Sequence, residues 1–124
     1  MSQLLFIAAG GALGAVMRFA VSNAVYGVLG RDFPYGTLAV NVLGSLLMGA
    51  LYVLLVERLT DAVEWRAFLL IGVLGAFTTF STFSMETVAL LEGGEPVRAL
   101  LNILLSVTVC VLATWVAVVA VRQL

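Results

Sequence analysis

The chain has 124 residues, of which 63% are hydrophobic and only 10% are charged. A soluble domain of this size cannot hide that much apolar surface, so the composition specifies a polytopic membrane protein. A net charge of −1, no histidine and a single cysteine, Cys110, exclude a nucleic-acid-binding basic patch, a zinc or haem ligand set and an intrachain disulfide.

Four apolar segments follow in chain order. The N-terminus, Met1-Ser2-Gln3-Leu4-Leu5-Phe6, lacks the positive stretch of a cleaved signal peptide. The first segment, about Leu4 to Leu29, is therefore expected to remain as a transmembrane helix, ended by Gly30 to Pro34. The second runs from about Gly36 to Val56, and the charged stretch Glu57 to Arg66 reads as a solvated loop. The third runs from about Ala67 to Leu91, with Glu92-Gly93-Gly94-Glu95-Pro96 as a tight turn before the fourth, about Val97 to Val121. Each has the roughly 20 residues needed to cross a bilayer core. Tyr26, Tyr35 and Trp65 sit near segment ends, as an interfacial aromatic belt requires. No linker interrupts the chain, so residues 1–124 read as one four-helix domain.

With four spans, Arg58, Arg66 and Arg122 lie on one side of the membrane and Arg31 and Arg98 on the other. Orientation is set by such an imbalance, and three against two gives almost no instruction. Insertion both ways up is the expectation; the alternative is that one arginine or a partner fixes the orientation. Gly11-Ala12-Leu13-Gly14-Ala15 echoes Gly72-Val73-Leu74-Gly75-Ala76, which reads first as shared helix-packing glycines. Each half holds two spans, so a repeat of this kind is parallel. Inverted symmetry then needs a second copy of the chain, and four helices are too few to enclose a pore comfortably.

The least ordinary feature lies inside the third segment: Phe77-Thr78-Thr79-Phe80-Ser81-Thr82-Phe83-Ser84. Five hydroxyls in seven positions fill lipid badly and compete for backbone hydrogen bonds. Irregular backbone at membrane depth is tolerated where protein buries it or where it lines a water-filled cavity. The first helix carries Gly10, Gly14, Arg18 and Ser22 at four-residue spacing. Arg18 within a span costs about 2.5–3.5 kcal/mol on insertion scales, so it either snorkels to the interface or faces a polar cavity. Thr37, Asn41 and Ser45 form a polar stripe on the second helix, and Asn102, Ser106, Cys110 and Thr114 form one on the fourth. Their amide and hydroxyl donors suit a small anion, while the carboxylate rings that favour cations are absent. Phe80 and Phe83 share a helix face, as ordinary packing or as positive ring edges toward an anion. Glu86 is the one carboxylate well inside a span, able to reach the interface or to accept from nearby hydroxyls.

Three ordered stretches resemble the Fluc fluoride channel family: residues Gly10 to Phe19, Gly36 to Ser45 and Gly72 to Ser84. The resemblance covers nearly the whole chain. It implies an all-α membrane protein with a break in the third helix, assembled as an antiparallel, dual-topology homodimer with two separate fluoride pores. It implies a central structural sodium ion held by backbone carbonyls, here Gly75 and Thr78 of each subunit. Asn41, Phe80 and Phe83 match pore-lining positions, Arg18 the arginine of the aqueous vestibule, and Ser106 the polar track of the fourth helix. Thr37, Ser81 and Thr82 complete the candidate pore set.

The function implied is passive, fluoride-selective export across the inner (plasma) membrane, with the bilayer and a second copy of the chain as partners and no enzymatic activity. A negative-inside potential drives an anion outward by about 2.3 kcal/mol per 100 mV, roughly fifty-fold in concentration. No glycine–lysine nucleotide loop is present, and none is needed. The alternative is a small dual-topology multidrug exporter, which needs a carboxylate in its first helix; that helix carries Arg18 and no acid. A third reading is a non-conducting assembly subunit.

Overall fold

In the computed structural model, which describes residues 1–124, the chain is entirely helical. Four helices are long and apolar enough to cross a membrane: Ser2–Leu29, Tyr35–Arg58, Val63–Glu92 and Pro96–Arg122. They are referred to as the first to fourth helices. This is a multi-pass membrane protein. The first helix stops at Gly30, whose φ of 85° lies in the left-handed region that favours glycine. The fourth starts with Pro96 in its first turn, where the missing N–H costs nothing.

The expected loop from Glu57 to Arg66 is shorter than its charge suggested. The second helix runs on through Arg58 in wide π-type turns, and the third begins at Val63, leaving only residues 59–62 between them. Three of the charges, Glu57, Arg58 and Arg66, find partners near the helix ends. Arg122 pairs with Glu57, with Nε 3.1 Å from Oε2, and Arg58 donates to the Val121 carbonyl at 2.7 Å. Arg66 reaches back to the carbonyls of Leu55, at 3.1 Å, and Thr60, at 3.4 Å.

The third helix consists of two arms. Residues 63–77 form the first, π-type over Arg66–Leu74. Thr78 (φ −85°, ψ 154°) and Thr79 (φ −152°, ψ 114°) are extended, and Phe80–Glu92 forms the second arm. The arms pack on different neighbours. The first arm lies chiefly against the first helix, the second against the fourth, while the second and fourth helices pack together. Without a hydrophobic drive between helices in lipid, small residues set these approaches. A Cβ on Gly10 would overlap the Phe68 carbonyl, one on Gly14 the Val73 carbonyl, and one on Gly72 would lie 2.9 Å from Gly10 Cα. Of the glycines in the sequence echo, Gly14 and Gly72 thus join Gly10 in one close helix–helix contact, whereas a Cβ on Gly11 would meet open space.

Candidate functional site

The two extended threonines sit where four helices come together, and Asn41 on the second helix holds them. Its Oδ1 accepts the Thr79 backbone N–H at 2.8 Å, and its Nδ2 donates to the Thr79 carbonyl at 3.1 Å. The carboxamide thus serves Thr79 as a neighbouring strand would, satisfying both backbone groups at once. Thr79 in turn caps the second arm, its Oγ1 accepting from Thr82 N–H at 3.3 Å. Thr78 Oγ1 folds back to the Leu74 carbonyl at 2.9 Å. Gly44 makes this approach possible: a Cβ there would overlap the Thr78 methyl group.

Beside the extended pair lies a groove of about 410 Å³ between the second helix, the second arm and the fourth helix. Asn41, Ser45, Thr79, Phe80, Phe83 and Ser106 line it, with Cys110 and Thr114 on the fourth-helix wall. No charged side chain lines it. The two phenyl rings stand 5.3 Å apart and are tilted by 54° to one another. Phe83 is buried at 8% exposure, whereas Phe80 is 75% exposed and has no cover within the chain. Ser106 is a buried residue of the groove lining, and Asn102 is buried one turn away: Asn102 Nδ2 donates to Thr87 Oγ1 at 2.9 Å, and Ser106 Oγ to Asn102 Oδ1 at 3.4 Å. Thr114 Oγ1 ties the wall to the Ser45 carbonyl at 2.9 Å. Amide, hydroxyl and ring-edge groups without a carboxylate favour a small anion over a cation.

The structure distributes the other sequence candidates differently. Arg18 is not among the residues that line the groove. Its Nε donates to the Ala76 carbonyl at 2.9 Å, near the end of the first arm, where a cation is favourable to the helix dipole. Ser81 is exposed, and Thr82 Oγ1 accepts from Thr79 Oγ1 at 3.0 Å beside the cap, outside the groove lining. Gly75 is exposed one turn before the extended pair. Thr37 is buried one turn along the second helix from Asn41, where its Oγ1 lies 3.5 Å from the Tyr26 hydroxyl. That hydroxyl donates to Glu86 Oε2 at 2.7 Å. The phenol was legible in the sequence only as an interfacial aromatic. Its partnership with Glu86 joins residues sixty positions apart and has no local signal.

The family described as "CrcB-like protein, Camphor Resistance (CrcB)" matches residues 5–118. A protein of Methylococcus capsulatus named "Fluoride-specific ion channel FluC" is 58% identical over 122 residues, covering 98% of this chain and 54% of that protein. This chain thus spans about half the length of that relative. Proteins of the same name from Magnetococcus marinus and Geobacter sulfurreducens are 52% and 48% identical over 120 and 124 residues. Those alignments cover 97% and 100% of this chain and 98% and 100% of the relatives. A match over nearly the full length, carried by the same helices that build the groove, places this chain in the CrcB-like family.

Proposed function

We propose that this chain forms a passive, fluoride-selective channel that exports the ion across the inner membrane. The observation that carries the reading is the uncharged groove at the extended Thr78–Thr79 pair, where Asn41, Phe80, Phe83 and Ser106 converge. The relatives' printed name, "Fluoride-specific ion channel FluC", supplies the ion. Fluoride gives up tightly held water only where convergent donors replace it. The groove is lined by amide and hydroxyl groups together with two phenyl rings. A passive path needs no energy source beyond the membrane potential. A multidrug exporter is not favoured, since the first helix carries no carboxylate.

The working unit is an antiparallel homodimer with two pores. One chain provides an open groove with Phe80 largely uncovered, which supports closure of the groove by a second copy. The near-balance of arginines across the two faces favours insertion in both orientations.

A structural sodium ion at the dimer centre fits the donors present. In an unbroken helix Gly75 O would accept from Thr79 N–H, and Thr78 O from Thr82 N–H. Here Thr79 N–H is taken by Asn41 and Thr82 N–H by the Thr79 hydroxyl, so both carbonyls lose their helical donors. No cluster of three carboxylate, thiol or imidazole groups exists to hold a transition metal. Carbonyls alone suit a hard monovalent cation. Gly75 and Thr78 of each subunit would hold it, and the ion would supply a fixed positive charge tying the two extended segments together.

Fluoride efflux from liposomes holding the purified protein tests the reading, with chloride as the competing anion. Fluoride efflux with chloride retained is the expected result. Equal release of both anions, or of neither, refutes selective conduction. Terminal tags in intact cells test the assembly, since both orientations should be labelled in one population.

A further inference from the structure

We propose that Tyr26 is a positioning residue that holds the Glu86 carboxylate away from the anion path; the proposal rests on the fluoride-channel reading above. Glu86 lies three residues beyond Phe83, and Thr37 one turn from Asn41. Each is therefore the next-turn neighbour of a residue lining the groove, at a rise of about 4.5–6 Å along its helix. Tyr26 Oη joins the two, 2.7 Å from Glu86 Oε2 and 3.5 Å from Thr37 Oγ1. On the far side of this trio lies a second cavity of about 240 Å³, lined by Tyr26, Arg31, Asp32 and Glu86 among others. The trio thus stands between the groove and a cavity at the end of the bundle.

The phenol is seated for this task. Its ring lies against Gly36, where a Cβ would overlap it, and the Arg31 guanidinium sits 4.5 Å from the ring centroid. Glu86 is only half served: Oε2 accepts from the phenol, while Oε1 is buried with no hydrogen-bond partner. A buried carboxylate oxygen left unpaired is costly, so one side-chain bond determines where this group rests. The charged and titratable groups around it are few. The first helix contributes Tyr26, the first loop Arg31 and Asp32, and the second helix the neutral Thr37. Arg98 of the fourth helix is spent on the Asp32 carbonyl at 3.1 Å, and Arg18 on Ala76. No cation bonds Glu86 directly, and the Tyr26 hydroxyl is the one side chain that hydrogen-bonds it.

The test follows from the charge. Tyr26→Phe keeps the ring on Gly36 and removes only the hydroxyl. The freed carboxylate then repels fluoride within a few ångström, and efflux at about pH 7.5 should fall about tenfold or more. The double variant Tyr26→Phe/Glu86→Gln should restore the wild-type rate, with protein-free vesicles giving the leak. Glu86→Gln alone should change the rate by less than about twofold. The proposal is overturned by a wild-type rate in Tyr26→Phe. A double variant as slow as the single one, or a large loss in Glu86→Gln alone, overturns it too. If Tyr26→Phe yields no dimer, the Glu86→Gln result still decides. Absent fluoride efflux from wild type refutes the channel reading itself, and this proposal with it; normal wild-type efflux with any overturning result refutes only the role of Tyr26.

Discussion

Replacing Asn41 by alanine removes both bonds that hold Thr79 in its extended conformation, Oδ1 to Thr79 N–H at 2.8 Å and Nδ2 to its carbonyl at 3.1 Å. Each hydrogen bond between helices in a membrane is worth about 0.6 kcal/mol on average and up to about 1.7. Two such bonds give about 1–3.5 kcal/mol, at the upper end because both Thr79 groups lose their only side-chain partner. The released Thr79 N–H then has the Gly75 carbonyl as its nearest helical acceptor, which favours closing the extended stretch. Efflux should fall by at least about tenfold, the equivalent of about 1.4 kcal/mol, with a lower melting temperature of the purified assembly. Asn41→Asp separates the two bonds. It keeps an acceptor for Thr79 N–H but sets an oxygen against the Thr79 carbonyl, and it adds a negative charge to an uncharged groove. It should therefore melt closer to wild type than alanine does, yet conduct no better. The assays are liposome efflux and thermal unfolding followed by size-exclusion chromatography. Wild-type efflux and melting in Asn41→Ala would refute the reasoning, because the geometry leaves no other side chain bonded to Thr79's backbone.

Three further outcomes are expected. Phe80→Ile and Phe83→Ile should both slow fluoride efflux sharply by removing the aromatic rings, at near-normal assembly yield because isoleucine keeps much of the apolar bulk; normal efflux from both at normal yield would remove the rings from conduction. Exchanging sodium for a bulky organic cation should lower the melting temperature of the assembly, while the reversal potential for fluoride stays indifferent to an imposed sodium gradient; a reversal potential that follows sodium would refute a structural role. Gly14→Ala should reduce the yield of folded protein, because even a methyl group meets the Val73 carbonyl; melting unchanged within about 1 °C, less than a 1 kcal/mol loss produces, would contradict the close contact.

Much of this arrangement was legible before any coordinates. The four spans follow from apolar length alone, and the two extended residues fall inside the hydroxyl run that composition marks out, Thr78 to Ser84. The polar stripes at four-residue spacing put Asn41 and Ser106 on the faces that meet at the groove. What stayed hidden depends on distance along the chain. Helical spacing placed Thr37 with Asn41, but only packing reveals that Thr37 sits beside Tyr26. Arg18 was read as a choice between snorkelling and a cavity, since sequence does not show that an arm of the third helix ends within its reach. The charges from Glu57 to Arg66 resembled a loop because their partners, Arg122 and the Val121 carbonyl, lie more than sixty residues away.

The extended pair also explains why one asparagine sits at the centre of the proposed mechanism. By accepting the Thr79 N–H, Asn41 withdraws the donor that the Gly75 carbonyl would otherwise hold, and by fixing Thr79 it aims that residue's hydroxyl at Thr82 N–H, which withdraws the donor from the Thr78 carbonyl. A single carboxamide on the second helix therefore leaves two carbonyls of the third without their helical donors. It also orients the second arm so that Phe80 and Phe83 border the groove. On the proposed reading the freed carbonyls serve the central cation and the groove serves the anion, so both depend on the same pair of hydrogen bonds. This dependence predicts that Asn41 variants weaken sodium-dependent stability and fluoride efflux together. Phe80→Ile, which touches neither bond, should lose efflux and keep the response to sodium. Measuring melting with and without sodium in both variants decides it, and a sodium response intact in Asn41→Ala would break the link between the two sites.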